Sequence, residues 1–178
     1  MEIFEALKKR HSYRGQFTDQ KISRQTLLKI AEAAILAPSG CNKQTTEFVI
    51  VDDEAIVSKI SALPGANMAV QTAKAYIVCL VDKDPKPAFE GMSFEVEDCA
   101  AAVENMLLAI TALGFASVWV DGWLRREGRS EQIGLWLGVP ESKKVRIILP
   151  LGVPAEQKAQ PDKLPLGQRV WFNQYRNL

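Results

Sequence analysis

Arg10-His11-Ser12-Tyr13-Arg14 is the stretch on which the reading of this chain turns. It follows a short helical pattern, Glu2 to Arg10, in which Ile3, Phe4 and Leu7 fall on one face. Where the chain leaves that helix it becomes extended, and alternate side chains of an extended segment project to the same side. Arg10, Ser12 and Arg14 then converge. Two guanidinium groups and a hydroxyl suit a phosphate or the edge of a polar heterocycle, because arginine gives paired, charge-assisted hydrogen bonds and keeps its proton at neutral pH. The same charges, with Lys8 and Lys9, also complement the negative carboxyl end of the first helix, and the segment alone leaves both readings open.

Downstream, a second helix is expected behind Ser23 as N-cap, with Leu27, Leu28, Ala31, Ala34 and Ile35 forming its apolar stripe. It stops near Ala37, since Pro38 biases its predecessor away from helical geometry. The loop Ala37-Pro38-Ser39-Gly40-Cys41-Asn42-Lys43-Gln44 offers backbone N–H groups beside Gly40 and two side-chain amides. That surface can read a heterocycle, and it can equally be a plain helix-to-strand connector.

Four segments rich in branched and apolar residues read as strands: Glu47–Val51, Ala75–Val81, Ala116–Val120 and Val145–Leu151. Helices fill the intervals. Taken by itself this alternation suggests a parallel doubly wound sheet. The longest helix runs from about Phe94 to Leu113, is almost wholly apolar from Ala100 onward, and ends at Gly114. Such a helix must be covered, by its own core or by a second copy of the chain. Residues 83–92 carry Pro85 and Pro87 without periodicity and read as a surface excursion able to act as a lid. The tail, 154–178, contains three prolines but also Val170-Trp171-Phe172 and Tyr175, aromatic residues that call for a surface to dock on.

Bulk properties narrow the chemistry. A chain of 178 residues, 47% apolar and 24% charged, suits one domain over 1–178. No run approaches the roughly 20 apolar residues of a membrane helix, and the amino end lacks a signal-peptide layout, so a cytoplasmic protein with no membrane partner is expected. A net charge of +1 gives no general field for nucleic acid. Three cysteines without a close pair, and His11 as the single histidine, argue against a disulfide framework, a metal site and a histidine-based triad. Cys41 reads as a small packed residue in preference to a nucleophile, and Trp119, Trp123 and Trp136 as core or interface residues, with Trp123 an alternative pocket wall.

An arginine-x-serine-x-arginine segment followed about one helix later by Ala-Pro-Ser-Gly-x-Asn-x-Gln resembles the nitroreductase flavoprotein family. The resemblance continues through Gly114 to Trp123, Leu137-Gly138-Val139-Pro140, Leu149-Pro150-Leu151-Gly152-Val153-Pro154 and Lys163-Leu164-Pro165-Leu166. It implies an α+β fold of three layers, with a mixed, mostly antiparallel sheet flanked by helices, in an intertwined homodimer embraced by the tail. It implies that Arg10, His11, Ser12 and Arg14 hold FMN at the dimer interface, that Pro38, Ser39, Gly40, Asn42 and Gln44 reach it from the second subunit, and that Asp121 and Gly122 lie beside the flavin ring. Lys163 falls where a pair of basic residues often meets the phosphate, with Arg169 as a further candidate; His11 stands where arginine is frequent, and Thr45-Thr46 replace a proline and an aromatic residue.

With flavin carrying the electrons, no catalytic side chain is needed, and the absence of a Gly-x-Gly-x-x-Gly fingerprint is consistent with that. The implied activity is two-electron transfer from NADH or NADPH to a small electrophilic acceptor, a nitroaromatic or quinone, by a ping-pong cycle. Alternatives within the same resemblance are a flavin-binding protein with little turnover, an enone reductase, a dehalogenase or a flavin-fragmenting enzyme.

Overall fold

Seven consecutive buried residues, Ala75 to Val81, form the middle of the structure. A run apolar on both sides is what a strand needs when each of its faces is covered. In the computed structural model, which describes residues 1–175, the elements run α1 (Ile3–Lys9), α2 (Arg24–Ile35), β1 (Glu47–Val51), α3 (Glu54–Ser61), α4 (Met68–Gln71), β2 (Ala75–Asp82), α5 (Glu95–Ala112), α6 (Arg129–Trp136) and β3 (Lys143–Leu151). Single 3₁₀ turns occur at Gly40–Asn42 and Leu166–Gln168. The last three positions of the 154–178 tail lie outside the described residues.

The strands lie in the order β1-β2-β3, and both pairings are antiparallel. The parallel sheet that strand–helix alternation suggests is not built, because α3 and α4 return the chain to the end of the sheet that β1 leaves, where Val51 faces Tyr76. Alternation along β2 then feeds two cores. Tyr76, Val78 and Leu80 pack with Ile60, Val70, Leu124 and Ile133 on one face. Ile77, Cys79 and Val81 pack with Leu27, Ile30, Val103, Met106 and Ile110 of α2 and α5 on the other. Helix, sheet and helix make three layers, and each fully buried large aliphatic side chain contributes about 1.5–3 kcal/mol.

Local signals place the helices. The Ser23 hydroxyl accepts the Thr26 N–H at 3.1 Å to start α2, and Gly114, at φ +84°, takes the left-handed position that stops α5. The apolar stripes come out differently from expectation. In α2 the buried row is Leu27, Ile30 and Ala34, whereas Leu28 and Ile35 are exposed; in α1 only Ala6 is buried, and Ile3, Phe4 and Leu7 face outward. These helices are apolar on more than one face, and the sheet of a single chain can cover only one.

Ala116–Val120, expected as a fourth strand, joins the sheet only at its ends. Ala116 N–H donates to the Gly152 carbonyl at 3.0 Å, and Val120 and Ile148 exchange hydrogen bonds of 3.1 and 3.0 Å. Between them the Ser117 carbonyl turns to accept the Tyr13 N–H at 2.9 Å. A full ladder is given up so that the Arg10–Arg14 stretch can be tied to the edge of the sheet.

Candidate functional site

Arg10 ends α1, its N–H donating to the Ala6 carbonyl at 2.8 Å. Its side chain is largely covered, with Nε 3.4 Å from Oε1 of Glu104 in the middle of α5. Tyr13 is fully buried, its hydroxyl donating to the Gln16 carbonyl at 2.6 Å. That anchor sends its neighbours the other way: Ser12 is half-buried and Arg14 exposed, and Arg14 enters no ion pair among the described residues. His11 Nδ1 lies 2.9 Å from the Lys9 carbonyl, while its Nε2 is buried with no partner. A buried ring nitrogen left unpaired costs free energy unless something fills its valence, so it marks a place where a ligand atom fits.

The tail reaches the same place. The Gln160 amide donates to the Arg10 carbonyl. Lys163 is exposed three residues further on, within roughly 11 Å of chain at most. It enters no hydrogen bond or ion pair among the described residues, and Arg169 is likewise exposed beyond the Leu166–Gln168 turn.

The Pro38–Gln44 loop is held by one buried carboxylate. Asp98, in the first turn of α5, accepts the Gly40 N–H at 2.8 Å on Oδ1 and the Thr45 hydroxyl at 3.0 Å on Oδ2. Ser39 Oγ accepts the Gln44 N–H at 3.0 Å. Gly40 lies so close to α5 that a Cβ there would stand 2.3 Å from Phe94 Cδ2. Cys41, Asn42 and Gln44 all have positive φ, 48°, 54° and 52°, a cost of order 1 kcal/mol or more each that the Asp98 anchor offsets. The outcome is a rigid loop with the amides of Asn42 and Gln44 facing outward.

The Asp121-Gly122 turn follows the Val120–Ile148 bridge. Asp121 accepts two hydrogen bonds from Arg125, at 2.6 and 2.7 Å, and one from Arg146. The carboxylate beside it pushes the Arg125 guanidinium further up, so its charge is fixed. Arg146 is the extra residue of β3 at a register shift, where the partners of Cys79 and Leu80 jump from Ile147 to Val145, and a bulge of this kind re-aims a side chain. A Cβ built on Gly122 meets nothing within 4 Å, so the turn has an open side.

Helix α5 meets the site at three levels: Asp98 holds the loop, Cys99 lies in the field of Arg146 and Asp121, and Glu104 meets Arg10. Asp98 and Glu104 are separated by about 9 Å of helix rise. No hydrogen bond or ion pair joins the Pro38–Gln44 loop to the Arg10–Arg14 stretch among the described residues. Within one chain the two segments are separate, each tied to α5. The Cys79 thiol is pushed up by its hydrogen bond to Cys99 and by burial, and stays protonated. Cys41 is exposed on the loop.

Asp98, Glu104, Arg146 and Gln160 escape a sequence reading. Only Asp98 carried a signal, a carboxylate on the inward side of a helix that is otherwise apolar there.

A sequence profile described as "Nitroreductase family" matches residues 7–83 and 61–153. A protein of Archaeoglobus fulgidus, provisionally named an NADH dehydrogenase/NAD(P)H nitroreductase, is 38% identical over 143 residues, 80% of each chain. Among solved structures, an FMN-dependent nitroreductase of Clostridium difficile superposes with a TM-score of 0.80 at 29% identity, covering 97% of this chain and 99% of its own. A provisionally named nitroreductase of Desulfovibrio desulfuricans, solved in complex with FMN, gives 0.79 at 26% identity, covering 99% of both.

Proposed function

The chain belongs to the nitroreductase family, and from that premise we propose that it is an FMN-dependent oxidoreductase passing two electrons from NADH or NADPH to a small electrophilic acceptor such as a nitroaromatic or a quinone. The carrying observation is the Arg10–Arg14 stretch: it is tied to the sheet edge through Ser117, exposes the Arg14 guanidinium near the half-buried Ser12 and the largely covered Arg10, and leaves the buried His11 Nε2 without a partner. That donor set fits a phosphate-bearing flavin. Relatives support the reading, a Vibrio harveyi NADPH-flavin oxidoreductase at 26% identity and a Bacillus subtilis FMN reductase at 26% among them.

Bound FMN supplies hydride acceptance and donation, in a ping-pong cycle in which nicotinamide and acceptor take turns. The protein's part is to hold, orient and keep water away. Arg10, Ser12 and Arg14 bind the phosphate and ribityl end, with Lys163 close by. His11 Nε2 meets a polar atom of the cofactor. Asp121, fixed by Arg125 and Arg146, sets the position of the Gly122 backbone, whose open side takes the ring.

Since no hydrogen bond or ion pair joins the two segments within one chain among the described residues, Pro38, Ser39, Gly40, Asn42 and Gln44 act on the cofactor of a second copy. Exposed Phe4 (73%), Leu28 (56%), Ile35 (68%) and Phe172 (92%) supply apolar surface for that homodimer. Residues 83–92, of which 84–88 line a cavity of about 510 Å³ beside Thr45 and Asp98, serve as the lid. The whole chain, 1–178, works as one domain. No helix among the described residues is long and apolar enough to cross a membrane, and a cytoplasmic location is part of the proposal.

Steady-state oxidation of NADH and NADPH by the FMN-loaded protein, with nitroaromatic, quinone and enone acceptors compared, tests the activity. Turnover with nitroaromatics or quinones is expected. Bound flavin without turnover on any acceptor would reduce the protein to a flavin carrier. Light scattering at micromolar concentration should give the dimer mass, and a monomer would remove the shared cradle.

A further inference from the structure

Resting on the flavin reading, we infer that the basic cavity beside Asp121 receives an oxyanion group of a substrate, a phosphate or a carboxylate, while the rest of that substrate reacts at the flavin. The cavity has a volume of about 560 Å³ and is lined by Lys83, Arg125, Lys144 and Arg146, against the single carboxylate of Glu131. Its remaining wall includes Val96, Leu124 and Val145. Charges against an apolar wall interact more strongly with an anion than charges in open water do.

Two of the four cations are already engaged. Arg125 and Arg146 both bind the Asp121 carboxylate, and they join the cavity to the turn assigned to the flavin ring. The other two are free. Lys83 follows β2 directly, its N–H donating to the Ser142 carbonyl at 2.9 Å, and Lys144 faces Val81 across the ladder, so the two lysines come together at one end of the sheet. Among the described residues neither enters an ion pair. The contrast with Lys143 is informative: one position along β3 it meets Glu47 at 3.0 Å and Asp82 at 2.9 Å, and those acids hold its proton more firmly. Strand alternation sends Lys143 to the acids and Lys144 to the cavity. The lining thus keeps an excess of positive charge, four cations against the Glu131 carboxylate and the adjoining Asp121, with Lys83 and Lys144 in no ion pair among the described residues. A cavity of about 560 Å³ has room for the anionic part of a small molecule.

The oxyanion has two possible sources, the phosphates of the reduced nicotinamide dinucleotide and the acid group of an anionic acceptor. Wild type and the double variant Lys83→Ala/Lys144→Ala, both loaded with FMN, are compared in steady state at low salt. KM is measured for NADPH, NADH, para-nitrobenzoate and the neutral para-nitrobenzamide. Losing two charge-assisted contacts should raise KM for the anionic substrate about tenfold or more. Added salt should raise KM in the wild type more than in the variant.

A rise confined to NADPH and NADH assigns the cavity to the dinucleotide. A rise for para-nitrobenzoate but not para-nitrobenzamide assigns it to an acidic acceptor. Unchanged values for all four, or equal rises for charged and neutral acceptors alone, overturn the inference. Fluorescence titration with FMN is run on the same proteins: unchanged affinity in the variant is expected, whereas wild type that fails to take up FMN refutes the flavin reading instead.

Discussion

Replacing Arg10 with alanine is expected to weaken FMN binding about 100-fold while leaving the fold intact. A guanidinium gives a phosphate paired, charge-assisted hydrogen bonds worth about 1.5–3 kcal/mol each, and each 1.4 kcal/mol is about tenfold in affinity. The fold should tolerate the change, because Arg10 closes α1 through its backbone N–H and not through its side chain. Glu104, the ion-pair partner, is 46% exposed on its side chain and rehydrates when Arg10 is lost. Arg10→Lys should fall between the two, keeping the charge but losing the planar fork. Fluorescence titration with FMN measures the loss, and thermal unfolding of the apoprotein checks the fold. Unchanged flavin affinity in the folded variant would mean that this stretch does not hold the phosphate.

Asp98→Ala is expected to destabilise the protein by about 3 kcal/mol, lowering Tm by roughly 6–12 °C for a domain of this size. The carboxylate is 6% exposed and accepts from both Gly40 N–H and Thr45 hydroxyl. Its removal leaves two partly buried donors, Gly40 N–H and Thr45 hydroxyl, without their acceptor. It also frees a loop whose left-handed residues persist only while something holds them. Asp98→Asn should cost less, since its carbonyl can still accept from Gly40 and the Thr45 hydroxyl can rotate to accept from the amide. Calorimetry or denaturant unfolding separates the cases; equal, small losses for both would show that Asp98 does not anchor the loop.

What the sequence made legible follows from how local each signal is. β1 and β2 fall within a residue of their expected bounds, and β3 begins two residues early, because dense branched and apolar residues have few other places to go. Ser23 and Gly114 mark ends whose chemistry is written in single residues. Ala116–Val120 has the same composition as a strand, yet its ladder is shared with Tyr13, more than a hundred positions away, and no local pattern shows that. The stripes on α1 and α2 failed for a related reason: apolar residues sit on more than one face, and packing chooses among them.

At the site, the motif residues were visible and their supports were not. Arg146 acquires its role from a register shift, and Glu104 from the way α5 passes α1. Lys83 and Lys144 look like ordinary surface lysines until the antiparallel register brings them together.

The absorbance spectrum of the purified protein bears most directly on the flavin assignment. Bands of bound oxidised flavin, present as isolated or after adding FMN, and bleached by NADH or NADPH, are the expected result. Protein that stays colourless, takes up no added FMN and leaves its spectrum unchanged on adding NADH or NADPH would contradict it.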